Sequence, residues 1–218
     1  FFYKNVRKKG PDYQARIRNG NVYLNGKQCL PFLGHSQGTQ NYEEAGYHRA
    51  GVQLRSFVAS IYQNDRWWRG PGDYDFSTVD CRINTILSLD ENAGLVIYLP
   101  TTPPRWWGKL YPDEVARRSD GSMIFDHEAK VSFSSEQYRK DAADAIEAFI
   151  RHVQNAPYSD RIAGYTILGG TTYEWLRWEP FEKTRFSDYS KPAQKAFAEY
   201  LEKHAPELEK KIPTSEER

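Results

Sequence analysis

The sequence predicts an α/β fold with a parallel sheet. Three features predict it: strand-like and helix-like segments alternate from about residue 30 onward, the strand-like ones are short and almost wholly apolar, and long loops follow them. Alternation of this kind implies βαβ crossovers, with helices packed outside a parallel sheet. Near-continuous apolar strands are what burial of both sheet faces requires. The pattern suits either a doubly wound sheet or a (β/α)8 barrel. No Gly-x-Gly-x-x-Gly or Walker sequence follows the first strand, so a nucleotide site loses its main support.

The elements follow in order. Asn19-Gly20 and Asn25-Gly26 lie among apolar residues, and Asn-Gly so flanked is a strong hairpin signal because both residues tolerate positive φ. Residues 1–29 therefore read as an N-terminal β-hairpin extension, and residues 30–218 as the body of the fold. A strand is expected over Leu30–Gly34, a helix over Tyr42–Ala50 and a second strand over Val52–Ser60. The next helix starts at Ser77 as its cap, with Asp80 three residues on, and runs to about Asn92. Leu95–Leu99 is the third strand. Tyr138, Ala142, Ala145, Phe149 and Val153 fall at helical spacing behind a cap at Ser134 or Ser135. Arg161–Gly169 is the fourth strand and Pro192–Lys211 the fourth helix, with a break expected at Pro206. The loops after strands two and three run roughly 15 and roughly 30 residues, against a usual length of about 5. Barrel enzymes place their chemistry in such loops.

Composition narrows the function classes. The 218 residues carry 30 Lys+Arg and 29 Asp+Glu, a net charge of +1. A nucleic-acid partner is not expected from such a balance. No apolar run approaches the roughly 18 residues of a membrane span. Aromatic residues make up 15% of the chain, which argues against disorder. Cys29 and Cys81 lack partners at ligand spacing and read as two buried thiols; no metal or cofactor is expected. They leave the compartment open, with a secreted or periplasmic setting favoured. His48, His127, His152 and His204 read as structural or solvated. The start at Phe1 and the polar tail after the last helix give the expectation of a piece of something longer.

All six Trp lie after strands two, three and four: Trp67, Trp68, Trp106, Trp107, Trp175 and Trp178. In a parallel sheet those segments emerge at one face, so the indoles are expected around one opening. Flat aromatic faces suit the apolar faces of sugar rings. Glu174, between Tyr173 and Trp175, is the candidate acid. Partial desolvation there would keep its carboxyl protonated near neutrality, as a general acid needs. A surface Glu paired with Arg177 is the plainer alternative, and Glu179 the competing carboxyl.

Four stretches carry a resemblance: Asp73-Tyr-Asp-Phe-Ser-Thr-Val-Asp80, Pro103-Pro-Arg-Trp-Trp107, Ser132-Phe-Ser-Ser135 and Gly169-Gly-Thr-Thr-Tyr-Glu-Trp175. In order and spacing the chain resembles the clan A, β-galactosidase-like (β/α)8 glycoside hydrolases from about Leu30 to Lys211. The resemblance implies a TIM-type (β/α)8 barrel, here as about four βα units. It implies a retaining mechanism in which Glu174 is the acid/base. Tyr173 stands where the family usually has Asn. Arg55 would orient a catalytic carboxylate near the end of strand two, Trp106, Trp107, Tyr173 and Trp175 would meet the substrate, and His35 would bond a sugar hydroxyl. The family's nucleophile follows strand seven, outside this chain. The implied partners are an oligo- or polysaccharide and the second half of the barrel, from the same gene or a second chain. A non-catalytic carbohydrate-binding barrel and a self-assembling half-barrel are the alternatives.

Overall fold

The two Asn-Gly pairs each turn the chain through a tight reversal. In the computed structural model, which describes residues 15–29, 32–36, 41–59, 67–124, 130–170, 175 and 187–208, they join β1 (Ala15–Arg18), β2 (Asn21–Leu24) and β3 (Lys27–Cys29) into an antiparallel sheet. Asn19 and Gly20 have φ of 50° and 75°, Asn25 and Gly26 of 50° and 81°. Two successive positive values define the type I′ turn, whose twist matches that of the flanking strands.

Beyond this meander, strands and helices alternate. The elements are β4 (Leu33–Ser36), α1 (Asn41–Arg49), β5 (Leu54–Val58), the short β6 (Trp68–Gly70) and β7 (Asp73–Tyr74), α2 (Ser77–Leu89), β8 (Gly94–Pro100), α3 (Arg105–Leu110), α4 (Glu136–Asn155), β9 (Ile162–Leu168) and α5 (Lys191–His204). Strands β4, β5, β8 and β9 form one sheet in that order, and the pairs β4–β5 and β5–β8 are parallel. The order never doubles back, as a doubly wound sheet must. Adding each strand on the same side is the rule of a (β/α)8 barrel, and the mixed α/β fold with this sheet fits a partial TIM-type barrel.

Local chemistry sets the element ends, with two corrections. At α2 the cap is not Ser77: the Asp75 carboxylate accepts the Ser77 amide at 3.0 Å. Asp80 faces elsewhere, to the Tyr158 hydroxyl and His152. At α4, of the two candidate serines, Ser135 is the cap; its Oγ accepts the Tyr138 amide at 2.9 Å. Helix α5 stops at His204, ahead of Pro206. The cysteines are also corrected. Cys29 is half-buried, Cys81 is exposed on α2, and both are free thiols.

The chain divides into two compact units. The first comprises Phe1–Ser60, Asp75–Pro100 and Glu147–Ile167. Its core is built from Phe57 of β5, Leu95, Ile97 and Leu99 of β8, Val79, Ile83, Ile86 and Leu87 of α2, and Phe149 and Val153 of α4, all buried. Strand β8 is buried on both faces at Leu95, Ile97 and Leu99 and at Gly94 and Pro100, so it needs no polar alternation. The second unit comprises Ile61–Tyr74, Thr101–Ile146 and Leu168–Arg218. Its segments are the chain that follows β5, β8 and β9.

Candidate functional site

In the second unit aromatic residues build inward. Trp67 and Trp68 stack with ring centroids 6.3 Å apart, and Trp106 meets Trp68 edge to face at 5.7 Å. Such pairs add about 0.5–1.5 kcal/mol beyond the area they bury. The Trp106 indole N–H donates to the Trp68 carbonyl at 3.4 Å. Trp67 and Trp68 are 1% and 2% exposed and Trp107 is 0% exposed. This overturns the expectation that all the indoles ring one opening. The adjacent pairs pack on each other and into helix α3, which removes their faces from solvent. Trp178 lies outside the described residues.

Trp107, expected to line a pocket, is instead held from within. Its indole N–H donates to Asp141 Oδ2 at 2.8 Å, and Gln137 Nε2 donates to the other oxygen at 2.8 Å. Next to it the Tyr138 hydroxyl meets Thr101 Oγ1 at 3.1 Å, and Thr101 Oγ1 donates to the Leu168 carbonyl at 2.9 Å. The Thr101 amide donates to the same carbonyl at 2.9 Å. The last residue of β9 is thereby fixed by two donors from one threonine.

The chain leaves β9 through Gly169 and Gly170. Gly170 has φ of 85° and Trp175 of 60°, a left-handed conformation that costs a bulky L-residue about 1–2 kcal/mol. The Trp175 amide donates to the Gly169 carbonyl at 2.7 Å. A Cβ on Gly169 would lie 2.6 Å from the Trp175 ring. The glycine is thus required by the approach of an indole. Trp175 is 48% exposed and its ring centroid is 6.0 Å from that of Phe133. Tyr173 and Glu174, directly ahead of Trp175, lie outside the described residues.

In the first unit His35 is the third residue of β4, near its carboxyl end. Its Nδ1 is 2.9 Å from Ser56 Oγ, its ring stacks on Tyr98 at 5.2 Å, and its carbonyl accepts the Tyr47 hydroxyl at 2.9 Å. Among the described residues its Nε2 takes no partner, so that nitrogen can meet a hydroxyl.

Arg55 is a correction. It is the second residue of β5, at the amino-terminal side rather than the strand end. Its side chain is fully buried. Nε lies 3.3 Å from Glu44 and Nη2 3.1 Å from Asp90, and Nη1 donates to the Val52 carbonyl. Burial pulls its pKa below the ordinary value, and Asp90 and Glu44 offset part of that. Arg82 reaches the other Glu44 oxygen at 3.6 Å. The residue ties α1 and the end of α2 to β5, with both its carboxylates already in use. Sequence reasoning missed Ser56, Tyr98, Phe133 and Asp141. Each acts through a partner distant in the chain, and no local pattern marks it.

Sheet order and strand polarity are those of a mixed α/β protein that fits a partial TIM-type barrel. Residues 69–211 match the family model Glyco_hydro_42, described as β-galactosidase, and the chain belongs to that family. Solved structures of similar fold include the polyextremophilic β-galactosidase from the Antarctic haloarchaeon Halorubrum lacusprofundi, with TM-score 0.58 and 19% identity over 80% of this chain and 25% of that chain. The β-galactosidase from Bacillus circulans sp. alkalophilus gives TM-score 0.57 and 19% identity over 79% of this chain and 24% of that one. The chain spans about a quarter of the length of these proteins. At such identities the likeness is one of fold. No curated protein sequence matches the chain.

Proposed function

We propose that this chain is the amino-terminal half of a (β/α)8 barrel in a retaining glycosidase that acts on β-galactosides or related glycosides. Residues 1–29 are an extension, and residues 30–218 carry the first half of the barrel. Glu174 is the general acid/base. It protonates the departing glycosidic oxygen, then takes a proton from the water that releases the sugar. The nucleophile, roughly 5 Å from it in a retaining enzyme, comes from the other half of the barrel. His35 offers Nε2 to a sugar hydroxyl. Trp106 and Trp175 offer aromatic surface, and Tyr173 occupies the place from which the family's Asn touches the substrate. The observation that carries this reading is the family match across 69–211, which contains the segment from β9 through Glu174 to α5.

A proton from Glu174 matters in proportion to how badly the leaving group needs one. In the complete barrel, Glu174→Gln is expected to lower kcat/KM about 100-fold or more on an alkyl or sugar β-galactoside. A dinitrophenyl galactoside, whose leaving group departs as a stable anion, is expected to lose far less in its glycosylation step. Unchanged activity on both substrates removes Glu174 from the mechanism. Tyr173 in place of Asn favours a second reading, a barrel that binds carbohydrate without cleaving it. Saturable binding of galactosides by a complete barrel with no turnover of either substrate would select it.

A further inference from the structure

We infer that Ser56 is a positioning residue for substrate recognition and acts through His35: its hydroxyl donates to Nδ1, which leaves the ring proton on Nε2 as a donor to a sugar oxygen. The inference rests on His35 as a substrate contact. His35 of β4 and Ser56 of β5 are partners in the parallel register, and Ser56 is in turn the partner of Val96, two residues before Tyr98 on β8. Directly paired residues share a sheet face, and side chains alternate along a strand. His35, Ser56 and Tyr98 therefore stand on one face. Phe57 and Ile97, buried in the core with α2, stand on the other.

Three groups hold His35. Tyr98 stacks on its ring with centroids 5.2 Å and planes 28° apart. The Tyr47 hydroxyl donates to its backbone carbonyl at 2.9 Å, and a Cβ on Gly34 would meet the Tyr47 ring at 2.9 Å, so Tyr47 lies flush on β4. Ser56 Oγ meets Nδ1 at 2.9 Å. The direction of this last bond follows from what else the hydroxyl can reach. Ser56 is 0% exposed, which closes its hydroxyl off from bulk solvent, and a buried donor left unpaired is costly. Among the described residues its other acceptor is the Gly34 carbonyl at 3.5 Å, beyond the range of about 2.5–3.0 Å for an O–H···O bond. The serine proton therefore goes to Nδ1. A neutral imidazole carries a single N–H, so with Nδ1 accepting, the proton sits on Nε2. That nitrogen belongs to a half-buried ring toward the carboxyl ends of β4 and β8, the side on which barrel enzymes hold substrates. In the opposite tautomer Nε2 would be an acceptor, and the ring would take a sugar's proton instead of lending its own.

Neutron diffraction from the complete barrel protein reads the assignment directly. The expected result is a hydrogen on Nε2, none on Nδ1, and the Ser56 hydroxyl turned toward Nδ1; a hydrogen on Nδ1 overturns the inference. The kinetic arm uses the complete barrel and an alkyl β-galactoside. Ser56→Ala removes the donor without adding bulk, and is expected to lower kcat/KM about 3- to 10-fold, the worth of one hydrogen bond. In a His35→Ala background the same substitution is expected to cost under about 2-fold more, because its effect passes through the ring. The full loss in that background marks a merely structural serine and overturns the inference. Should Ser56→Ala not fold, the hydrogen positions in the parent still decide. His35→Ala alone reports on the substrate contact. If it leaves kcat/KM unchanged, that reading falls and takes this inference with it; if it lowers kcat/KM while Ser56→Ala does not, only the role of Ser56 falls.

Discussion

Arg55 is fully buried, with two carboxylates within ion-pair distance, at 3.1 and 3.3 Å. Removing a buried cation leaves buried anions without their counter-charge. Glu44 is 1% exposed, so the cost of Arg55→Ala is that of breaking a buried pair, about 3–5 kcal/mol. Urea denaturation measures it, and a loss below about 1 kcal/mol would contradict the depth and pairing described. The sequence displayed an arginine in an apolar strand, which by itself marks a special site. It did not display which end of the strand the side chain serves, since that depends on Glu44 and Asp90, one from each flanking helix region. The same holds for Trp107. Its type and its neighbours in the chain pointed to a sugar-binding surface, whereas Asp141, 34 residues on, draws its N–H into the interior. Long side chains are read poorly from local sequence because their partners are remote.

Elements were far more legible than side chains. The periodic apolar stripe of α4 needs no tertiary information, and its residues Tyr138, Ala142, Ala145, Phe149 and Val153 are all buried. The Asn-Gly turns are equally local, because two positive φ values select for those residues. Capping failed at α2 because Asp75 and Ser77 are both competent acceptors, and sequence does not rank them. Strand β9 supports a prediction of its own. Burial pushes the Tyr165 hydroxyl from an ordinary pKa of 10.0 up to about 12. The folded state then holds the proton more tightly than the unfolded chain does. Its contribution is complete below pH 10 and is lost as pH rises through 12, because the unfolded state ionises first. Tyr158 is raised in the same sense by burial and by Asp80. Tyr165→Phe is therefore expected to lose less stability than the parent between pH 10 and 12. Equal slopes in denaturation midpoints across that range would refute the assignment.

At the scale of the molecule, β4 and β9 are the outer strands of the four-stranded sheet. Phe32, just before β4, is 64% exposed and Leu33 37% exposed. Open edges beside exposed apolar side chains favour association. Residues 1–218 prepared alone are expected to scatter light as species larger than 25.4 kDa, and to return to one defined assembly when the complementary half-barrel is supplied. A stable, cooperatively unfolding monomer would sink the half-barrel reading. The class of fold was legible because alternation and apolar strands are properties of the chain alone. The site was less so, because a barrel site draws on loops whose shared position is a property of the closed sheet.

The strand order has a bearing on biosynthesis. Every strand of the main sheet finds its sheet neighbour already translated: β5 meets β4, β8 meets β5, and β9 meets β8. At about 5–20 residues per second on the ribosome, each crossover helix emerges within seconds of the strand it covers. The nascent sheet can therefore grow as it is made, with no strand waiting for one still to be synthesised. Its newest edge is always the one farthest along the message.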